Sequence, residues 1–170
     1  MKKRVALGLT VAILFQLLVL VGVYVNGALP LWVGREVRVE TVPVDPRSLF
    51  RGNYARLSYG FSRISGTPFD RQLRNGEVIY VRLVPGEDGL YEYSGLSLQM
   101  PSSGVFLRGR VAHHYRTEEV DNLQIKYGIE AFFAPREKAL ALEQDLRDGG
   151  VAVLMVSEHG RAALKTVVAD

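Results

Sequence analysis

The chain has no cysteine among its 170 residues. That excludes disulfide cross-links, thiol catalysis, cysteine-ligated zinc and iron–sulfur clusters. It does not argue against export, because a domain of about 140 residues can bury a core without covalent staples. Histidine is nearly as scarce, with three in the chain. His113 and His114 are neighbours, and neighbouring side chains on a strand point to opposite faces, so they do not share a metal easily. With His159 distant in sequence, no histidine-rich zinc site is expected. The histidines read as surface or strand-end residues, one of which could sense pH beside a carboxylate. Phosphate-cradling glycine loops of the G-x-x-x-x-G-K and G-x-G-x-x-G kinds are missing, and so is a G-x-S-x-G nucleophile elbow. There is no internal repeat and no low-complexity segment.

Excess basic charge is also missing once the charges are located. The pI of about 9.3 suggests a basic protein. Of the 21 Lys and Arg, three are Lys2, Lys3 and Arg4, and the remaining 18 face 18 Asp and Glu. The domain is therefore formally neutral. A nucleic-acid binder would carry a net basic domain or a basic stripe, so nucleic acid is not an expected partner.

What is present begins with a long apolar run. Val5 to Val25 has no charged residue, and Gln16 is its most polar side chain. At a rise of ~1.5 Å per residue it spans about 30 Å, the thickness of a hydrocarbon core. The alternative, a cleaved signal peptide, calls for a shorter apolar region and a small-x-small site. Asn26-Gly27-Ala28 fits such a site poorly. Residues 5–25 are thus expected to stay as a transmembrane anchor in contact with lipid, with residues 1–4 as a cytoplasmic basic flank and 26–35 as a juxtamembrane link. The positive-inside rule places the N-terminus in the cytoplasm and residues 36–170 outside it, on the periplasmic side of an inner membrane. Tyr24 and Trp32 are candidate interface aromatics, and Gln16 is a candidate for a helix–helix contact.

Beyond the link the dominant period is two, the mark of half-buried strands. Glu36 to Val44 alternates, then Asp45-Pro46-Arg47-Ser48 supplies turn chemistry. Tyr54 to Ser62 reads as one strand with Ala55, Leu57, Tyr59 and Phe61 on one face. Glu77 to Val84 leads through the turn Pro85 to Gly89 into Leu90 to Tyr93. Val105 to Tyr115 is another strand, and Leu123 to Phe133 reads as one unbroken alternating strand. Val151 to Val156 is continuously apolar, as in a strand buried on both faces. His159-Gly160 turns the chain into Ala162 to Val168. One helix is expected in the C-terminal half, from Arg136 to Arg147, started by Pro135 and stopped by Gly149-Gly150. The expected fold is mainly β (α+β): an N-terminal transmembrane helix, then one antiparallel β-rich domain carrying that helix.

Catalytic constellations are hard to assemble from these residues. A Ser/His/Asp triad has its residue types but no marked arrangement. A Ser/Lys pair has only Lys126, Lys138 and Lys165 after the anchor, and a general-base lysine needs a desolvated site. Lys126 falls on the polar face of its strand and Lys138 on the helix, so both read as solvated. Glu118, Glu119 and Asp121 read as a solvated loop. Pro43 to Ser62 is different, because strand pattern alone does not explain it. Asp45-Pro46-Arg47 and Arg51-Gly52-Asn53 place fixed turns and two guanidinium groups just before a strand. Arg47 or Arg51 could pair with Asp45 and pin the turn. That segment is either a rigid entry to a core strand or a functional surface built on one.

Gly52-Asn53-Tyr54-Ala55-Arg56-Leu57-Ser58-Tyr59 resembles the signature of the GDYXXLXY family, Gly-Asp-Tyr-x-x-Leu-x-Tyr, with Asn53 in place of Asp. Val44 to Arg47 and Tyr127-Gly128-Ile129-Glu130 through Pro135 are also similar to family segments. The resemblance implies a membrane-anchored protein of unassigned activity, often associated with multi-pass membrane proteins. It supplies no catalytic residue. A more distant likeness runs to signal-peptidase-type folds. Aligned on Gly52, Val44 stands where the nucleophilic serine would be and Arg47 where a proline would be, so that site would be dead. The leading expectation is a non-enzymatic tethered domain, accessory to an integral membrane protein and without cofactor or metal. Its candidate interaction surface is Asp45, Arg47, Arg51, Gly52, Asn53, Tyr54, Leu57, Tyr59, Tyr127, Gly128 and Glu130. The alternatives are an envelope hydrolase using Ser and Lys126, and a small-ligand or cation site at the 45–53 turn.

Overall fold

The computed structural model describes residues 2–42, 54–133 and 149–168. The expected helix over 136–147, and the turn carrying Asp45, Arg47, Arg51, Gly52 and Asn53, lie outside the described residues. Helix α1 runs Lys2–Val33. Its stretch from Arg4 to Val33 is long and apolar enough to cross a membrane. It is apolar on every face, and its side chains from Arg4 to Gly27 are exposed. Such a helix has no stable place in water and needs lipid or other apolar surface around it. The Thr10 hydroxyl donates back to the Ala6 carbonyl at 3.0 Å and so carries no unmet polar demand into that surface.

The helix continues to Val33, through most of the segment 26–35 that the sequence suggests is a link. Gly27, through its backbone freedom, and Pro30, through its missing N–H, oppose helix there. The structure offsets that cost by docking. Pro30 is buried, the helix end rests on the C-terminal strands, and the Gly34 amide closes the last turn on the Pro30 carbonyl at 2.9 Å. Gly34 is the single residue between α1 and strand β1 (Arg35–Val42).

The remaining strands are β2 (Tyr54–Arg56), β3 (Ser58–Tyr59), β4 (Arg63–Ser65), β5 (Val78–Pro85), β6 (Tyr91–Ser97), β7 (Val105–Arg116), β8 (Asp121–Lys126), β9 (Ala131–Phe133), β10 (Gly150–Val156) and β11 (Ala162–Val168). All pairings among them are antiparallel. They form a four-stranded sheet ordered β11-β10-β1-β3, a five-stranded sheet ordered β4-β8-β7-β5-β6, and the small pair β2-β9. The core joins the inner faces: Val37, Val39 and Leu154 from the first sheet; Ile79, Val81, Leu107 and Ile125 from the second. Each such side chain, fully buried, contributes roughly 1.5–3 kcal/mol. Strand β10 is central in its sheet, and its Ala152, Val153, Leu154 and Val156 are all buried, as its unbroken apolar run suggests.

Two expected strands are broken. Leu57, Tyr59 and Phe61 are buried as read, but Ser62 is buried too, and the segment does not stay in one sheet. β2 pairs with β9, β3 with β1, and β4 with β8, with a 3-10 turn at Gly60–Ser62 between the last two. Residues 123–133 are likewise interrupted after Lys126, because Gly128 takes φ +86 and turns the chain.

The two large sheets are joined where the β10–β11 turn meets β7. Gly160 has φ +76, and its carbonyl accepts the Arg108 N–H at 2.7 Å. A Cβ there would lie 2.7 Å from the Phe106 ring. Gly160→Ala should therefore cost about 2–4 kcal/mol through strain plus overpacking. Thermal unfolding of the full chain in detergent, followed by circular dichroism, would register this as a drop of several degrees.

Candidate functional site

The family-like segments 54–61 and 127–133 are far apart in sequence and close in space. Their backbones pair through β2 and β9, with Tyr54 opposite Phe133 and Arg56 opposite Ala131. The Leu57 N–H then donates to the Glu130 carbonyl at 2.8 Å. The Tyr59 hydroxyl donates to the Ile129 carbonyl at 2.7 Å, and the Tyr127 hydroxyl to the Phe61 carbonyl at 2.7 Å. Each segment thus sends one tyrosine to the backbone of the other. The rings pack as well: Tyr59 stacks on Phe61 at 5.3 Å between centroids, and Phe61 meets the edge of Tyr127 at 5.4 Å. Such aromatic pairs add about 0.5–1.5 kcal/mol beyond area burial.

Glu130 holds the turn inside this clasp. Its carboxylate accepts the Tyr127 N–H at 2.5 Å and the Gly128 N–H at 3.0 Å. These charge-assisted bonds replace the ladder bonds that a continuous strand would make. Burial pushes the Tyr59 hydroxyl well above the ordinary tyrosine range, with the Glu130 charge adding to it. Burial does the same to Tyr127, with Glu130 and then Tyr93 contributing. Both phenols are held neutral and used as donors to backbone, so neither is available as a general base.

The structure therefore places Leu57 at 5% exposure and Tyr59 at 2%, inside the core and not on a surface. Tyr127 and Glu130 are half-buried and Gly128 is exposed. Beside the clasp lies a cleft of about 220 Å³ whose lining includes Gly60, Phe61, Glu40, Asp88 and Glu92. Among the described residues no group of three or more His, Asp or Glu has the geometry to hold a metal.

Sequence reasoning missed one polar network. His114 is buried, with 1% exposure, and is not a surface or strand-end histidine. Its Nδ1 accepts the Leu73 N–H at 2.8 Å, which leaves the ring proton on Nε2. Nε2 then donates to Asp121 Oδ1 at 2.8 Å. Asp121 Oδ2 accepts the Thr67 amide and hydroxyl, both at 2.9 Å, so Asp121 is a structural acceptor at the start of β8 and not part of a solvated loop. The signal was the turn Thr117–Val120, closed by the Thr117 N–H on the Val120 carbonyl at 2.7 Å, which folds β7 onto β8. This is a His–Asp pair without a free ring nitrogen, and it has no base to offer a substrate. His113 is exposed on the opposite face, as alternation suggests.

A family model described as GDYXXLXY protein matches residues 16–167. No curated protein and no solved structure matches the chain.

Tyr59→Phe removes one buried hydrogen bond and should cost about 1–2 kcal/mol in chemical unfolding, with the fold retained. Burial raises the Asp121 carboxyl, but the bonds from Thr67 and His114 outweigh it and hold the group below the usual carboxylate range. A carboxyl depressed in the folded state contributes stability above its unfolded pKa of about 3.9 and loses it as pH falls through the folded value. The melting temperature of Asp121→Asn should thus lie below that of the parent at neutral pH. The gap should close as melts are repeated below about pH 4.

Proposed function

We propose, from the premise that this chain belongs to the GDYXXLXY family, that it is a membrane-tethered, non-enzymatic domain displayed outside the cytoplasm, where it docks beside an integral membrane protein. The observation that carries this reading is the joint between helix and domain. One residue, Gly34, separates α1 from β1, and α1 packs on β10 and β11. The Arg161 guanidinium fastens the turn before β11 to the Asn26 side chain of the helix at 2.6 Å. A domain held this way has a set height and a set face toward the bilayer. That suits a partner embedded in the same membrane, whereas a domain that searches for soluble ligands gains reach from a free linker. The three cations before the apolar run favour an N-terminus in the cytoplasm.

The hydrolase reading finds less support. Lys126 is exposed, and Lys165 is exposed and paired with Glu36 at 3.0 Å, so neither sits in the desolvated site that a general-base lysine needs. The two family-like segments are spent on holding each other.

Membranes containing the full chain should keep it through an alkaline carbonate wash. Crosslinking in those membranes, followed by affinity capture and mass spectrometry, should recover a multi-pass protein in a defined band. Recovery of monomer alone would count strongly against the docking role.

A further inference from the structure

Where α1 meets the domain there is a cleft of about 630 Å³. Asn26, Gly27 and Pro30 of the helix form one side. Arg108 and Arg110 of β7, Lys126 of β8, and Arg161 in the turn before β11 bring four cations to it, and no Asp or Glu lines it. The domain is neutral in total, so this concentration of one sign is a product of folding and not of composition.

Three features show that the cations face the cleft uncompensated. Arg110 and Lys126 are direct cross-strand partners, and Arg108, two residues from Arg110, shares their face. Like charges directly opposite each other destabilise a sheet. Among the described residues, no carboxylate comes within salt-bridge distance of any of the four, although Arg38, Arg71 and Lys165 elsewhere are each paired. Arg110 donates to the Gly76 carbonyl at 2.9 Å and Arg161 to the Asn26 side chain. Those bonds orient the guanidinium groups without neutralising them.

The place of the cleft along the helix is the second line of argument. Asn26 is the first polar residue after the uncharged run from Val5 to Val25. If that run fills the hydrocarbon layer, Asn26 lies where the hydrocarbon ends and headgroup phosphates begin. The exposed rings of Tyr24 and Trp32, in edge contact at 6.4 Å between centroids, flank Asn26 along the helix, and such rings favour the interface.

We propose that this cleft binds the phosphate of an anionic phospholipid headgroup, drawn from the leaflet in which α1 ends. The inference rests on the membrane-spanning part of the proposed function and not on the docking partner. Arg108, Arg110 and Lys126 donate charge-assisted hydrogen bonds to the phosphate oxygens. The anion offsets the Arg110–Lys126 repulsion. Zwitterionic headgroups are disfavoured because their own ammonium would face four cations.

The test uses the full chain in phosphatidylcholine nanodiscs containing a minority of phosphatidylglycerol. The lipid that stays with the protein after mild detergent extraction is then measured by mass spectrometry. The parent should be enriched in phosphatidylglycerol. Arg110→Gln with Lys126→Gln should cut that enrichment at least about fivefold, since each cation near an anionic surface matters on that scale. Arg38→Gln, on β1 outside the cleft, should leave it unchanged. In discs of phosphatidylcholine alone, Lys126→Gln should melt about 1–3 °C higher than the parent, because the like-charge pair is gone. The same melt on the double variant shows it to be folded. Equal lipid composition in parent and double variant would overturn the site. Inorganic phosphate that shifts the Lys126 side-chain resonance in phosphatidylcholine discs, with no phosphatidylglycerol enrichment, would replace the lipid by a soluble anion. Loss of crosslinking to a membrane protein in the double variant, with lipid composition unchanged, would make the cleft a protein interface and end the lipid assignment. Release of the parent by carbonate washing would instead remove the membrane-spanning premise, before any lipid is assayed.

Discussion

Twelve residues, from Tyr54 to Ser65, pair in turn with β9, β1 and β8. The rest of the structure depends on that switching. A strand that stays in one sheet adds to one ladder; this segment connects three. Its apolar side chains, Leu57, Tyr59, Phe61 and Ile64, fill the space between the sheets and merge their inner faces into one core. The exchange of tyrosine hydroxyls with the 127–130 segment then fixes where each change of partner occurs. A one-residue slip would move Leu57, Tyr59 and Phe61 out of the core together and break both hydroxyl bonds.

The second constraint is the absence of slack between helix and domain. Charge pairs at this junction are exposed and individually weak; Glu36 with Arg38 and Lys165 contributes little in water. Geometry does more. Pro30 is buried, Gly34 alone separates α1 from β1, and β1 lies between β10 and β3 in its sheet. The orientation of the domain relative to the helix is therefore set by the same strand that organises the first sheet. A cleft formed between them inherits that order, and this is why four cations can be held near the helix end at the cost of a like-charge pair.

Much of this was legible as pattern and little of it as partnership. The uncharged run to Val25, the alternation of β1 and the buried run of β10 each report a local environment, which composition and period encode directly. Which strand pairs with which depends on distant segments, so the three-way switch of 54–65 left no local sign beyond its alternation. The break at Gly128 was readable in principle from glycine followed by Glu130, but the alternation of Leu123, Ile125 and Ile129 continues through it and conceals it. Alternation separates His113 from His114 and does not say which one is buried. That depends on the irregular register between Val111 and His113, and on Leu73 approaching from a loop. The cationic cleft was invisible for the same reason: Arg108, Lys126 and Arg161 meet only in the folded chain, and a neutral total hides them.

For the described part of its signature, the family pattern marks residues that hold the fold: Leu57 and Tyr59 are buried, and their partners are the backbone of Ile129 and Glu130. The most direct test of that claim is native-state hydrogen exchange at the Leu57 amide, which donates to the Glu130 carbonyl at 2.8 Å. If the two segments form the clasp described, this amide should exchange only through global unfolding, as slowly as the amides of β7 and β8. Exchange as fast as that of the exposed turn at Glu87 to Gly89 would show that the segments part without unfolding the domain, and would contradict the account.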